Sequence, residues 1–423
     1  MRSTITPDNI WAGVLQFGET TAHKPKHHFL EQYNAAKEWV LKEFTVPKKL
    51  VPLSMDEAVK HVPQGTSPGL PFMRTHPGWK KGRVFERYMP LFSNYWGRIG
   101  SGQPVSPMPD CAAFARSHIS DVDSNKVRPV WAYPCHLICQ EARWAYPFTQ
   151  SVIAQDVGHH TAYGMEMMKG GMRWLHDNLT SIKLMNYGAK CLMTDYSAFD
   201  RSIPSWMIRD AFHIVKSQFI ETTKEDDRCF RKMVDYFINT PVQNVDGRRF
   251  LKGHGIPSGS MFTNLIGTIC NLLATITASL VVFEEMPLFI NAFGDDSVMM
   301  YREEVPMDIP QLSAFMKYFF GLTLNVKKSY WTNDLKQVHY LGYYDLFGDP
   351  VKPTEELVAS LLYPQYNKDD WSYVCARTIG CLYASAGHDS EIFRAGCAIW
   401  RKCQFSHPES LKEAVSLLHT NPR

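Results

Sequence analysis

The chain changes its hydrophobic period several times, and each period predicts a different element. Lys190-Cys-Leu-Met-Thr194 is a short apolar run ending at Asp195, as in a strand with an acid at its tip. Met207, Ala211 and Val215, with Ile208, Phe212 and Phe219, share one face at helical spacing. A helix is therefore expected from about Pro204, since proline suits a first turn. From Gly253 to Phe283 there is no Asp, Glu, Lys or Arg. That length could span a bilayer. Yet Asn264, Thr268, Asn271 and Thr275 recur at steps of four, three and four, making one polar stripe. A core helix that turns this stripe to a wet cleft fits better than a membrane span.

Two apolar runs follow, from Leu288 and from Ser297 to Tyr301, with Gly294-Asp295-Asp296 between them. They predict a hairpin carrying two carboxylates at its tip. A helix is expected from about Pro310 to Phe320, with Asp308 and Gln311 resembling a capping box and Gly321 as the stop. Leu322 to Leu324 and Val338 to Leu346 read as strands, the second turning at Gly348-Asp349-Pro350. The remainder reads as helices at Glu355 to Leu362, Ser372 to Ala384, Glu391 to Lys402 and Leu411 to Leu418. The first 185 or so residues are broken by Pro, Gly and aromatics, and 221 to 250 form a charged stretch read as a solvated face. The order of elements argues for an α+β fold.

The 423 residues suffice for two or three subdomains. A net charge of only +3 means that nucleic-acid binding would need local patches. Lys80, Lys81, Arg83 and Arg87, then Lys126 and Arg128, supply them. Ten cysteines without a C-x-x-C pair suit free thiols in a reducing compartment. Cys375, Cys381, Cys397 and Cys403 repeat a five-residue gap, and buried thiols suit it better than zinc. The N-terminus carries no secretory pattern.

A lone Gly-Asp-Asp is often just a turn. Its meaning here comes from two companions. Asp195-Tyr-Ser-Ala-Phe-Asp200 places two acids five apart across the predicted end of a strand. Asp195 would be a strand-end metal ligand, and Asp200 would reach another part of the same cleft. Asp195, Asp295 and Asp296 together suit two Mg²⁺ ions about 3.5–4 Å apart, with Mn²⁺ able to substitute. Between them, Gly255-Ile-Pro-Ser258-Gly259-Ser260-Met-Phe-Thr263-Asn264 can approach a sugar-phosphate, or simply cap a helix through Ser258 or Ser260.

This ordered set resembles the palm of a viral RNA-dependent RNA polymerase, and its wording is most similar to the partitivirus and picobirnavirus branch of double-stranded RNA viruses. Thr66-Ser67-Pro68-Gly69-Leu-Pro-Phe72 resembles the template-entrance motif, and Lys126-Val-Arg128-Pro-Val-Trp131 the basic motif that holds triphosphate. Gly321-Leu-Thr-Leu-Asn325-Val-Lys-Lys328-Ser329 resembles the lysine motif, and Tyr340-Leu341-Gly342-Tyr343 the primer grip. The resemblance covers residues 66 to about 346.

The resemblance implies a right-hand polymerase with an antiparallel palm sheet and mostly helical fingers and thumb. Fingers would take 1–185 and 221–250, the palm 186–220 and 251–348, and the thumb 349–423. The implied reaction is RNA-directed RNA synthesis from NTPs that replicates and transcribes a viral genome. Asp195, Asp295 and Asp296 would hold metal. Asp200, Ser258, Gly259, Thr263 and Asn264 would meet the nucleotide, with Lys126 and Arg128 on its phosphates. Thr66, Ser67 and Gly69 would touch template, and Leu341 and Gly342 primer. Lys328 would protonate pyrophosphate, with Lys327 its rival. Many single-stranded RNA virus polymerases carry Asn where this chain has Gly267, so Asn264 or Asn271 would substitute if an amide is needed, Asn264 being nearer the loop. A thumb of roughly 70 residues implies small or absent priming elements. Template and nascent RNA are the expected partners, with a viral capsid protein as a further candidate. The catalytic unit is expected to be a monomer in the host cytoplasm or inside the virion. The rivals are a reverse transcriptase-like polymerase and a decayed RNA-packaging protein.

Overall fold

The fold is organised round one helix. The computed structural model describes residues 3–19, 27–119, 127–364, 370–407, 409–410 and 412–414. Helix Thr263–Ala278 runs through the core, and everything from Leu265 to Ala278 is buried. With the wider turn Ser279–Phe283 it is long and apolar enough to cross a bilayer, but it is enclosed by the rest of the chain. Helices Leu30–Glu43 and Ser205–Lys216 pack directly against it. The latter buries Met207, Ile208, Ala211, Phe212 and Val215, the face expected from its spacing, and starts just after Pro204.

The central sheet is antiparallel and four-stranded, in the order Tyr330–Thr332, Lys190–Thr194, Asp296–Tyr301, Phe289–Phe293. Its middle strands are apolar on both faces because helices cover one side and a second apolar cluster the other. A second sheet has the order Val127–Ala132, Cys111–Ser117, Pro241–Gln243, Arg249–Leu251. The charged stretch around 221–250 is therefore more than a solvated face. Helix Lys224–Ile238 is amphipathic, capped by the Thr223–Asp226 box, and buries Cys229, Phe230, Met233 and Phe237. Its charges occupy the outer face only.

Asp308 caps helix Ile309–Phe320 and Gly321, at φ +78°, ends it. The run from Val338 to Leu346 is not one strand. It folds back at Leu341-Gly342, both at positive φ, so that His339–Tyr340 pairs with Tyr343–Leu346, which pairs with Asp349–Val351. Three closing helices, Thr354–Leu362, Trp371–Ala384 and Ser390–Ser406, match their expected places. The fourth, Leu411 to Leu418, lies largely outside the described residues. The expectation of ten free thiols is corrected here. Cys375 and Cys403 are joined in a disulfide, because the second and third of these helices lie side by side. The other eight cysteines are free.

Candidate active site

The acid hairpin is a two-residue turn. Phe293 pairs with Asp296, leaving Gly294 and Asp295 as the tip. Gly294 sits at φ +63°, a conformation that glycine adopts without strain. Strand Lys190–Thr194 pairs with the return strand through Thr194–Ser297. One step beyond that pair stand Asp195 and Asp296, so two acids from different parts of the chain emerge at the same end of the sheet.

The hairpin is held from behind by the core helix. The Asn271 amide donates to the carbonyls of Gly294 at 3.0 Å and Asp296 at 3.4 Å. The Gly294 N–H donates to Thr268 Oγ1 at 2.8 Å, and Thr275 Oγ1 donates to Asn271 Oδ1 at 3.0 Å. The polar stripe is real, but Thr268, Asn271 and Thr275 do not line a wet cleft as expected. They are buried, Thr268 and Asn271 spent on the backbone of the turn and Thr275 on the Asn271 side chain. Asn264, half-exposed, is the stripe residue that remains near the surface. Gly267 lies against Gly294, with the Gly294 Cα 3.8 Å from where its Cβ would stand.

Asp195 is fixed through its backbone. Its N–H donates to Ser329 Oγ at 3.0 Å, and its carbonyl accepts the Asn325 N–H at 2.8 Å. The lysine motif is thus bonded directly to the first acid. Lys327 and Lys328 both project from this turn into solvent. After Asp195 the chain forms two strand residues, Tyr196–Ser197, turns at Ala198 with φ +61°, and enters the short helix Phe199–Ser202. Asp200 consequently stands on that short helix, past the strand end that carries Asp195.

Electrostatics ties these groups together. Burial by surrounding protein, then repulsion from Asp295 and Asp195, pushes the Asp296 carboxyl up to about 6, against the pull of Arg128. Asp200 still meets solvent but lies deep among protein atoms. That crowding and the Asp295 charge raise it to about 6, again opposed by Arg128 and by Ser258. Arg128 therefore lies near enough to both carboxyls for its charge to oppose the rise. Lys126, its expected companion, lies outside the described residues.

Among the described residues no three Asp, Glu, His or Cys side chains are grouped closely enough to hold a metal ion between them. Magnesium seldom needs such a group, since it takes one or two carboxylates and completes its shell with water and substrate phosphate. Hard oxygen donors with unrelieved mutual repulsion fit such an ion.

The Ser-Gly loop is pressed against the basic strand. Trp131 N–H donates to the Ser258 carbonyl at 2.7 Å. Gly259 has φ +138°, and a Cβ there would stand 1.9 Å from the Trp131 carbonyl oxygen. Gly69 meets the same segment, with its would-be Cβ 2.4 Å from the Tyr133 carbonyl oxygen. One stretch, 127–133, thus receives both the segment at Gly69 and the Ser-Gly loop, and carries the Arg128 charge felt by the acids. Ser258 Oγ reaches Asp200 Oδ2 at 3.5 Å. The Thr263 hydroxyl is used within the loop, donating to the carbonyls of Pro257 and Ser260, each at 2.8 Å. Thr66 Oγ1 donates to Pro63 O at 3.0 Å, and Ser67 Oγ accepts the Gly69 N–H at 3.3 Å. Leu341 and Gly342 form the tip of their hairpin, which Tyr340 anchors by donating to Asn291 Oδ1 at 2.8 Å.

The family model for viral RNA-dependent RNA polymerases matches residues 1–399. The chain belongs to this family. Divalent-metal dependence is general among such polymerases. The chain is 28% identical to the RNA-directed RNA polymerase of Cryptosporidium parvum virus 1 (strain KSU-1) over 292 residues, which is 66% of this chain and 51% of that protein. It is also 28% identical to that of Atkinsonella hypoxylon virus (isolate 2H) over 339 residues, 67% of this chain and 49% of that one. The chain thus spans about half the length of these curated relatives. A Sicinivirus 3Dpol RNA-dependent RNA polymerase superposes with a TM-score of 0.72 at 14% identity, covering 99% of this chain and 91% of that one. That likeness shows the right-hand polymerase fold.

One polymerase-site neighbour escaped sequence reasoning. Glu141, on helix Cys135–Ile153, is fully buried and bonded to the Ser-Gly loop. Its only signal in the sequence is a single acid within an otherwise uncharged run, Pro134 to Ala142.

Proposed function

We propose that this chain adds ribonucleoside triphosphates to the 3′-hydroxyl of a growing RNA under the direction of an RNA template. The observation that carries this reading is the shared strand end. Asp195 and Asp296 leave adjacent strands in register, Asp295 tips the turn between them, and Arg128 opposes their charge. A pair of Mg²⁺ ions, or Mn²⁺ in their place, would supply Lewis-acid stabilisation of charge at the attacking and leaving oxygens. Asp195 and Asp295 would be the principal ligands, with Asp296 the third acid.

The remaining residues act by position and charge. Arg128 and Lys126 would neutralise triphosphate, since guanidinium binds phosphate oxygens in pairs. Asp200 and Ser258 would meet the ribose 2′-hydroxyl, which distinguishes RNA precursors from DNA ones. Asn264, whose Oδ1 meets only the Thr268 hydroxyl among the described residues, at 3.4 Å, and which stays near the surface, is the stripe amide placed to join them, because Asn271 is occupied by the hairpin. Lys328, beside Lys327, would donate a proton to the departing pyrophosphate. Thr66, Ser67 and Gly69 would border the template, and Leu341 and Gly342 the primer strand. Fingers at 1–185 and 221–250, palm at 186–220 and 251–348, and thumb at 349–423 complete the reading. The setting is viral genome replication in host cytoplasm or in a particle with a capsid protein.

Primer extension on an RNA template with Mg²⁺, beside a template-only reaction, tests it. Incorporation of NTPs in preference to dNTPs is the expected result. Preference for dNTPs would favour reverse transcription. RNA binding without any addition would favour a packaging protein, a reading weakened by the presence of all three carboxylates.

A further inference from the structure

The Ser-Gly loop is held from two opposite sides. On one side is the backbone of the basic strand at Trp131. On the other is Glu141, whose Oε1 accepts the Ser260 hydroxyl at 2.7 Å while Oε2 accepts the Met261 N–H at 2.8 Å. Ser260 Oγ in turn accepts the Phe262 N–H at 3.0 Å. Glu141 has no solvent exposure. A buried carboxylate is costly unless its oxygens are satisfied, and here both are spent on one short loop. Nothing in the chemistry assigned above uses this group.

Ser258 lies two residues before Ser260, and its hydroxyl reaches Asp200 at 3.5 Å, the long limit of a hydrogen bond. A small shift of the loop would break that contact. We infer that Glu141 is a positioning residue for sugar recognition: by gripping Ser260 and Met261 it sets Ser258 against Asp200, and so governs the choice of ribonucleotide over deoxyribonucleotide. The inference rests on the polymerase reading, and it assigns Glu141 no contact with substrate. A carboxylate suits the task because it presents two acceptors to two donors. An amide of the same shape presents one acceptor and an uncharged N–H₂, so the Ser260 hydroxyl must turn round to accept and its charge-assisted bond is lost.

The test uses the full chain. Glu141→Gln removes one acceptor, and Ser260→Ala removes one donor while leaving the Met261 bond. Steady-state kcat and KM are measured for an NTP and the matching dNTP, with hydrogen exchange followed over residues 256–262. Losing one charge-assisted hydrogen bond corresponds to roughly tenfold. Glu141→Gln should raise the NTP KM about that much and erode ribose preference by a similar factor, with kcat little changed and exchange faster. Ser260→Ala should shift the same quantities in the same direction. If both variants are folded and keep wild-type KM and sugar preference, Glu141 is a fold element only and the inference is overturned. If Glu141→Gln does not fold, Ser260→Ala decides by the same criterion. A wild-type chain that adds no nucleotide overturns the polymerase reading first, and this inference with it.

Discussion

Trp131 and Gly259 meet with no room for a methyl group between them. A Cβ on Gly259 would stand 1.9 Å from the Trp131 carbonyl oxygen, and the neighbouring Ser258 carbonyl accepts the Trp131 N–H at 2.7 Å. Strand Val127–Ala132 and the Ser-Gly loop are therefore locked together, backbone against backbone.

Gly259→Ala must push the two apart, since backbone on both sides leaves nothing flexible to yield and φ +138° is itself unfavourable for alanine. A displacement near 1 Å beside the chemistry costs on the order of a hundredfold. Nucleotide addition should fall by about that factor while RNA affinity changes little. Primer extension and filter binding on the same preparation measure both.

Asn271→Ala deletes two hydrogen bonds to the hairpin backbone, those to the Gly294 and Asp296 carbonyls. Each such bond contributes about 0.5–1.5 kcal/mol. The expected outcome is a lower melting temperature together with a higher Mg²⁺ requirement for activity. A melting shift with an unaltered Mg²⁺ dependence would separate the fold from the site.

Asp295 raises the pKa of both Asp200 and Asp296 by repulsion. Removing a nearby negative charge favours the ionised form of its neighbours. In Asp295→Asn, carboxyl titration by NMR should therefore show both groups falling from about 6 toward the ordinary aspartate range. The same variant should lose nucleotide addition and retain RNA binding.

Lys328→Leu should slow the chemical step in single-turnover experiments more than it weakens NTP binding, as loss of a proton donor does. Lys327→Leu is the matched control, because both lysines leave the same exposed turn. A larger effect at Lys327 would exchange their roles.

Glu141 supplies a pH signature. Burial pushes its carboxyl up to about 7 from an ordinary 4.5. The raised pKa means that burial disfavours the ionised form that grips the loop, and the two forms coexist in the folded state near pH 7. Its stabilising contribution is full below pH 4.5 and is lost as pH rises through about 7. At about 1.4 kcal/mol per unit the loss is on the order of 3 kcal/mol. Denaturant titrations of wild type and Glu141→Gln across this range should diverge accordingly, the variant having the flatter profile.

Much of this was legible from the chain because catalysis and folding share the same short segments. The strand 190–194, the acid hairpin and the helix after Pro204 each declare themselves by periodicity and punctuation. The polar stripe was legible as a pattern but not as a purpose. Asn271 and Thr268 face inward because the turn opposite needs donors and an acceptor, and only the assembled pair shows that. Helix Lys224–Ile238 was hidden by its charges, whose spacing left the apolar face intact. The Cys375–Cys403 link joins two helices whose pairing no local signal reveals. Glu141 was invisible for a similar reason, its partners lying 119 and 120 residues away.

The harness on the acid hairpin is entirely uncharged, being made of one amide and two hydroxyls. Among the described residues no lysine or arginine tethers that turn, so its support does not compete with a cation for the carboxylates. Chelation should therefore leave the tip in the same posture, its shape set by the helix behind it and not by what the carboxylates would hold.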